Sequence, residues 1–492
     1  MSSAYEKLCL LSHELHLVSD TASLLGWDQE VLLPTKGIAY RAQQMSWFSG
    51  YLHERFTSDE VREWLEEAES GESGDLVVAA NLREWRHEYD RATRLPGKLV
   101  QEFAEVKVHA QSAWAESRKK SDFSVFAPTL EKVISLCREH AERWGYEKNL
   151  YDALLDRFER GATVSRLDET LGNLREQLRP IVEAATSRQP FDRSKLTAFY
   201  PIDRQEAFNR EVAESIGFDF EAGRIDTAVH PFCSGMAPYD TRLTTRYDEG
   251  DFLSSLFGVL HEAGHGLYEQ GLNKDRRGEP AGTSVSLGVH ESQSRLWENH
   301  VGRSRAFWEK WLPRAVHYFP SLSAITVDEM VAAVNEAKLS CVRVEADEVT
   351  YDLHVLLRFE LEKLIFSGEL AVADIPAEWN RRFEAYFGFP VPSDAMGCLQ
   401  DIHWSMGIFG YFPTYSLGNL NAAHLVSAAR RQSPVIAAGM DTADYSSLLD
   451  WMRKNIHEHG SVYLPDDLVT RAAGTPVSPD ALIEHLRQRY LG

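Results

Sequence analysis

The chain has 492 residues, of which 43% are hydrophobic and 26% are charged, a composition typical of a globular protein with a large core. Its 74 acidic and 52 basic side chains give a formal net charge of −22, which repels polyanions and anionic membrane surfaces, so we expect no binding to nucleic acid or to membranes. The five cysteines are scattered and form no C-x-x-C pair, which favours free thiols and a cytoplasmic location over a disulfide framework.

The N-terminal part of the chain predicts a series of amphipathic helices, because apolar residues recur there at three- and four-residue intervals. The run Leu130, Val133, Ile134 and Cys137 is an example. The predicted helices span residues 3–25, 38–55, 58–67, 75–91, 96–119, 130–145 and 167–187. We therefore expect about residues 1–200 to be helical.

One β signal lies between His230 and Tyr247, where β-branched and aromatic residues predict a short hairpin with a turn at 235–238. An acidic stretch then precedes a predicted helix over 252–271. Helical periodicity resumes over 327–366 and again near the C-terminus. The fold class that we predict is mainly α, with a small β-hairpin or sheet beside the helix at 252–271.

That helix carries the sequence HEAGH from His261. His265 follows His261 by four positions, so both imidazoles lie on one helix face and are able to bind one ion. Glu262 follows the first histidine and is placed to accept a proton from water activated by the metal. The pattern predicts a zinc-type metallopeptidase, although an H-E-x-x-H match also arises by chance in a few per cent of chains of this size.

A catalytic site of this kind needs a third protein ligand. The segment after a Gly/Ser-rich loop offers four candidates, which are His290, Glu291, Glu298 and His300. We favour Glu291, because the 26 residues that separate it from His265 allow one loop and a returning helix. The alternative to a ligand role for Glu291 is a carboxylate that is solvated or that orients one of the ligands. His290 could likewise orient a ligand or contact the substrate.

Five separated motifs resemble the carboxypeptidase Taq, or thermostable carboxypeptidase 1, family of metal-dependent carboxypeptidases. They are DTRLT from Asp240, HEAGH from His261, HESQ from His290, VRVEAD from Val342 and GCLQDIHW from Gly397. Three further segments also resemble the family, which are LGWDQEVLLPTKGIAYRAQ, YDALLDRFERG and GYFPTYSLGN. The resemblance therefore spans nearly the whole chain.

The resemblance implies a single helical gluzincin-like peptidase domain over residues 1–492, with a deep substrate groove and with its metal and catalytic motifs at about 230–420. It implies His261, His265 and Glu291 as ligands of one divalent metal per subunit, with zinc favoured and cobalt possible, and Glu262 as general base. It also implies a homodimer that removes C-terminal residues from peptides with broad specificity. Arg295 stands where other peptidases with two His and one Glu ligand often carry a carboxylate, which leaves open how the histidines are oriented.

Other residues receive roles from the required chemistry together with the resemblance. Tyr415, and as an alternative Tyr411, would stabilise the oxyanion. Arg343, placed on a helix within 327–366, would bind the terminal carboxylate of the substrate, unless it pairs with Asp347 one turn later. The remaining predicted substrate contacts are Arg242, His230, His290, Gln400, Asp401 and His403. The alternatives are a helical zinc oligoendopeptidase and a peptide-binding protein with a vestigial site.

Overall fold

The structure, a computed structural model, describes residues 3–71 and 74–492, and its elements are mainly α-helices. In order these are α1 (Ala4–Val31), α2 (Ile38–Phe56), α3 (Asp59–Glu69), α4 (Leu76–Thr93), α5 (Gly97–Lys120), α6 (Ala127–Trp144), α7 (Leu150–Leu155), α8 (Val164–Thr186), α9 (Ile202–Ser215), α10 (Phe252–Gly271), α11 (Leu287–Arg295), α12 (Arg305–Tyr318), α13 (Val327–Val334), α14 (Tyr351–Ser367), α15 (Ile375–Phe387), α16 (Pro413–Gln432), α17 (Pro434–Asp441), α18 (Ser446–Asn455), α19 (Pro465–Ala473) and α20 (Asp480–Leu491). The mainly α prediction is confirmed. None of the helices in these ranges is long and apolar enough to cross a membrane.

The seven helices predicted in the N-terminal part are all present, with ends that differ by a few residues. The largest difference is in α1, which continues six residues beyond the predicted end at Leu25. The short helix α7 was not predicted. Its start is fixed by a capping box. The Asn149 side chain accepts the backbone N–H of Asp152, and the Asp152 side chain accepts the backbone N–H of Asn149.

A three-stranded sheet replaces the predicted hairpin, with strands β1 (Gly223–Thr227), β2 (Cys233–Ala237) and β3 (Asp240–Thr245) in the order β1-β3-β2. Strands β2 and β3 are antiparallel and form the expected hairpin. The predicted turn at 235–238 is wrong, because Gly235 lies within β2 and the chain reverses at Pro238 and Tyr239. Strand β1, which pairs parallel to β3, was missed because a five-residue strand gives little periodic signal.

The described residues divide into two compact units. The first unit consists of the described residues within Met1–Ala92, together with Phe191–Val334 and Asn421–Val477. The second consists of Thr93–Pro190, Asn335–Leu420 and Ser478–Gly492. The first unit contains the sheet, α10 and α11, around a large apolar core. That the whole chain forms one peptidase domain stays a prediction.

The predicted helix through Arg343 is wrong, because residues between α13 and α14 form a loop with only a short 3₁₀ turn at Arg343–Glu345. Side chains satisfy the backbone of this loop in place of a helical ladder. The Asp347 carboxylate accepts the backbone N–H groups of Lys338, Val349 and Thr350. The Gln400 side chain accepts the N–H of Arg343 and donates to the carbonyl of Cys341. Asp347 is therefore not an intrahelical partner of Arg343.

A buried carboxyl group, Glu362 on α14, lies in the second unit and is fully enclosed. It accepts hydrogen bonds from the Trp404 indole and the Gly410 backbone, each at 2.8 Å, and from the Tyr151 hydroxyl. Burial disfavours the charged form strongly enough to raise the pKa of Glu362 from 4.5 to about 7, although these donors lower it. The folded protein therefore holds this proton to a higher pH than the unfolded chain does.

We expect Glu362 to contribute stability that is fully present below about pH 4.5 and is lost as the pH rises through about 7. A shift of this size corresponds to about 3 kcal/mol. The measurement is the free energy of unfolding of the wild type minus that of Glu362→Gln, followed from pH 5 to pH 8. Subtraction removes the effects of all other titrating groups. A difference that is constant with pH would contradict the prediction.

Candidate active site

The site is organised on α10, which begins at the predicted position. The Asp251 carboxylate accepts the N–H groups of Leu253 and Ser254 and so caps the helix. One face of α10 is buried in the core of the first unit, and its imidazoles His261 and His265 are only partly exposed. Their ring centroids lie 5.0 Å apart, as expected for side chains one turn apart.

Helix α11 brings Glu291 to these two histidines. Its Oε2 lies 3.5 Å from His265 Nε2 and 3.7 Å from His261 Nε2. The approach of the two helices depends on Gly264, the glycine of HEAGH. A Cβ at this position would lie 2.5 Å from the Gln293 carbonyl oxygen and 2.6 Å from Ser294 Cα. Any larger residue would therefore push α11, and Glu291 with it, away from α10.

Glu298 is the carboxylate that orients His261, a role for which Arg295 stands at the position expected from other peptidases. A π-helical turn, Leu296–Val301, continues α11 and carries Glu298, whose Oε2 accepts a hydrogen bond from His261 Nδ1 at 2.9 Å. Arg295 instead donates to Glu291 Oε1 at 2.6 Å and approaches Glu298 Oε2 at 3.5 Å. It therefore occupies one oxygen of Glu291 and leaves Oε2 facing the histidines.

The electrostatics of the three side chains differ. Burial lowers the pKa of His265 to about 4, so this ring is neutral at pH 7. Burial alone would raise the pKa of Glu291, but the charges of Arg295 and His261 hold it well below its usual range. Burial lowers the pKa of His261, but the carboxylates of Glu291 and Glu298 outweigh this effect and raise it to about 9. A cation that binds His261 must therefore displace a proton.

Glu262 is 7% exposed and lies on α10 between the two histidines in sequence. Burial is the main cause that raises its pKa to about 7, and the Glu291 carboxylate adds to the increase. A carboxyl group with a pKa near the working pH is suited to both accept and return a proton.

His290 contacts Nδ1 of His265, whereas the predicted ligand atom of His265 is Nε2, which faces Glu291. Its Nδ1 is 2.6 Å from His265 Nδ1, and its Nε2 is 2.7 Å from Glu269 Oε1. Glu269 was not singled out from the sequence. The only available signal was its position four residues after His265, which places both on one helix face.

Two other predicted substrate contacts also belong to the first unit. Arg242, on β3, forms a bidentate pair with Asp240 at 2.8 and 3.0 Å, and its guanidinium lies 4.4 Å from the ring centroid of Trp27. His230 is exposed in the connection between β1 and β2. Their contacts with substrate stay predictions.

The second unit brings together the other predicted residues around Asp401. Arg343 donates from Nε and Nη2 to Asp401 Oδ1 at 3.1 and 2.9 Å, and Arg358 donates from Nε to Oδ2 at 2.7 Å. Arg343 also donates to the Tyr351 hydroxyl at 2.8 Å. Because two guanidinium groups share one carboxylate, this cluster carries an excess positive charge.

The predicted tyrosines stand beside the same cluster within the second unit. The ring centroid of Tyr415 lies 4.9 Å from the Arg343 guanidinium, and its hydroxyl lies 3.5 Å from His403 Nε2. Tyr411 packs edge-on against Tyr415 at 5.3 Å. Burial lowers the pKa of His403 to about 4, so its ring is neutral at pH 7.

Comparison with known proteins decides the family, because the model of the carboxypeptidase Taq (M32) metallopeptidase family matches residues 7–490. The chain belongs to this family. It is 40% identical to thermostable carboxypeptidase 1 of Thermus thermophilus, with 99% of this chain and 98% of the relative covered. It is 36% identical to carboxypeptidase 1 of Bacillus subtilis, with 96% and 95% covered.

Solved structures of M32 carboxypeptidases agree with this assignment. The chain superimposes on M32 carboxypeptidase from Deinococcus radiodurans with a TM-score of 0.96 at 37% identity, covering 99% and 98% of the two chains. For Trypanosoma cruzi metallocarboxypeptidase 1 the TM-score is 0.94 at 36% identity, covering 99% of each. The predicted family and enzyme class are confirmed, and the chain is a metallocarboxypeptidase that hydrolyses peptides.

An M32 metallopeptidase uses a divalent metal, and the donor set of this chain fits one. Two imidazole nitrogens and one carboxylate oxygen, from His261, His265 and Glu291, lie within 4.8 Å of one another. Ligands that surround zinc tetrahedrally at 2.0–2.1 Å are about 3.4 Å apart. The separations of 3.5 and 3.7 Å from Glu291 Oε2 to the two histidines are close to that value.

Proposed function

We propose that this M32 metallocarboxypeptidase removes single C-terminal residues from peptides with a zinc ion held by His261, His265 and Glu291. The observation that carries the proposal is the convergence of these three ligand atoms next to the buried carboxyl group of Glu262. Cobalt is a second candidate metal, since two imidazoles and a carboxylate also suit it.

The proposed chemistry divides between the cation and the side chains. A bound divalent cation supplies Lewis acidity that polarises the scissile carbonyl and makes water a better nucleophile. Glu262 takes the proton from the attacking water and returns it to the leaving amine. Glu298 and Arg295 hold His261 and Glu291 so that Nε2 and Oε2 face the cation. Tyr415, with Tyr411 as the alternative, donates to the oxyanion.

Recognition of the free C-terminus is assigned to Arg343. Its guanidinium belongs to a cluster with excess positive charge, which favours a carboxylate ligand. Gln400 and Asp401 fix Arg343 through its backbone N–H and its side chain. In contrast, Arg242 already directs its planar fork at both oxygens of Asp240. His403, His230 and His290 complete the set of proposed substrate contacts, although the contacts of His290 also favour a second role, argued below.

Broad specificity, a homodimer and a cytoplasmic location complete the proposal. The acidic charge of −22 mildly disfavours substrates with acidic C-terminal residues, so neutral, aromatic and basic residues are the expected targets. The five cysteines are free in the structure, which agrees with a reducing compartment. The homodimer rests on the resemblance alone.

Mass spectrometry of peptide digests tests the proposed function. We expect the zinc-loaded enzyme to release single residues in sequence from a peptide with a free C-terminus. The same peptide with an amidated C-terminus should be cleaved much more slowly, because it lacks the recognised charge. Chelation of the metal should stop the release, and added zinc should restore it. Internal cleavage, or equal cleavage of the two peptides, would contradict the proposal.

A further inference from the structure

Three side chains form a hydrogen-bonded row that ends at His265. His265 Nδ1 lies 2.6 Å from His290 Nδ1, and His290 Nε2 lies 2.7 Å from Glu269 Oε1. His265 and Glu269 are both on α10, one turn apart, and His290 is inserted between them from α11. The other nitrogen of His265, Nε2, is the one that faces Glu291 at 3.5 Å.

When the His290 ring is neutral, a single arrangement of hydrogens satisfies this row. A carboxylate is an acceptor, so His290 Nε2 must carry the hydrogen that it donates to Glu269. In a neutral His290 ring, Nδ1 is then an acceptor, and the hydrogen shared with His265 must belong to His265 Nδ1. This leaves His265 Nε2 with an unshared electron pair that points towards Glu291. The reverse direction requires a hydrogen on both nitrogens of His290 and would place a hydrogen on His265 Nε2, where it would block a cation.

The surroundings hold the row in place. The side chains of His265, His290 and Glu269 are 17%, 17% and 16% exposed, so water competes poorly for their hydrogen bonds. The ring of the buried Tyr268 lies 5.2 Å from that of His290. The Glu269 side chain packs against Gly235 of β2. A Cβ at residue 235 would lie 2.6 Å from the Glu269 side chain, so any other residue at this position would displace it.

We infer that His290 and Glu269 are positioning residues that fix His265 in the tautomer and orientation required of a metal ligand through Nε2, an inference that rests on the proposed function. His290 provides the acceptor for His265 Nδ1–H, and Glu269 fixes which nitrogen of His290 is that acceptor. The negative charge of Glu269 polarises the hydrogen bonds of the row and so makes His265 Nε2 a stronger electron donor. This role differs from the substrate contact proposed for His290.

Two substitutions of His290 separate its two hydrogen bonds. In His290→Asn the amide oxygen takes the position of Nδ1 and still accepts from His265. In His290→Gln the amide nitrogen takes the position of Nε2, so the bond to Glu269 is kept and the acceptor for His265 is lost. Zinc affinity is measured by competition with a chelator of known affinity, and circular dichroism of the metal-free proteins verifies that they are folded.

We expect His290→Gln to weaken zinc binding about 10- to 100-fold, the range for loss of a group that orients a metal ligand. His290→Asn should bind zinc more tightly than His290→Gln, and this rescue is not expected from a purely structural role. Glu269→Ala, which leaves both histidines in place, should also lose affinity and carries the test should His290→Gln fail to fold. Equal affinity of His290→Gln or Glu269→Ala and wild type would overturn the inference, as would equal losses in the two His290 variants. A wild type that binds no zinc would overturn the proposed function as well.

Discussion

Replacement of Glu262 by glutamine is expected to lower kcat by about 10²- to 10⁴-fold, the usual contribution of a general acid–base group. Glutamine has nearly the same size and polarity but is unable to accept a proton from water. The zinc content should stay at the wild-type value, because the proposed ligand atoms belong to His261, His265 and Glu291. The measurements are kcat on a free-acid peptide and metal content by elemental analysis of the same preparation.

A matched control for this substitution is Glu214→Gln, which makes the same chemical change at an exposed position on α9 of the first unit. This variant should keep wild-type kcat and zinc content. A Glu262→Gln enzyme with full metal content and unchanged kcat would exclude Glu262 as the general base. Loss of zinc from that variant would instead show that Glu262 supports the metal site.

The metal motif was predictable from the sequence because its geometry is local. The spacing of His261 and His265 determines their common face on any α-helix, and Asp251 is placed in sequence to cap that helix. Glu291 was a choice among four candidates. Its selection required a second helix to approach α10, and the reason for that approach, the glycine at 264, became evident only from the contact with Gln293 and Ser294.

Arg343 shows where sequence reasoning failed and why. The periodicity of its surroundings predicted a helix, but Asp347 and Gln400 capture the backbone groups that a helix would have paired. Gln400 is 57 residues from Arg343 along the chain, so no local pattern could reveal this competition. The partner of Arg343 is likewise distant, since Asp401 replaces the expected Asp347. A ligand-orienting role for His290 was one of the alternatives drawn from the sequence, but its contacts with His265 and Glu269 were not predicted, because they depend on the approach of α11 to α10.

Replacement of Arg343 by glutamine is expected to remove the preference for peptides with a free C-terminus. Loss of the ion pair between Arg343 and the substrate carboxylate should cost about 2–5 kcal/mol, so kcat/KM on a free-acid peptide should fall by about 30- to 5,000-fold. Activity on the amidated peptide should change much less, because that substrate presents no carboxylate to Arg343. The measured quantity is the ratio of the two kcat/KM values, and it should move towards one.

The fold should tolerate Arg343→Gln, because Asp401 keeps its hydrogen bond from Arg358 at 2.7 Å. Arg242→Gln tests the competing assignment with the same chemical change. We expect it to retain the free-acid preference, since both oxygens of Asp240 already occupy the Arg242 fork. Arg381→Gln, at a position 64% exposed, provides the surface control for the loss of one positive charge. If Arg242→Gln abolished the preference and Arg343→Gln retained it, the carboxylate would belong to Arg242. The charge balance around the two arginines therefore differs. The positive charge of Arg242 is neutralised by Asp240 alone, whereas Arg343 shares the single negative charge of Asp401 with Arg358.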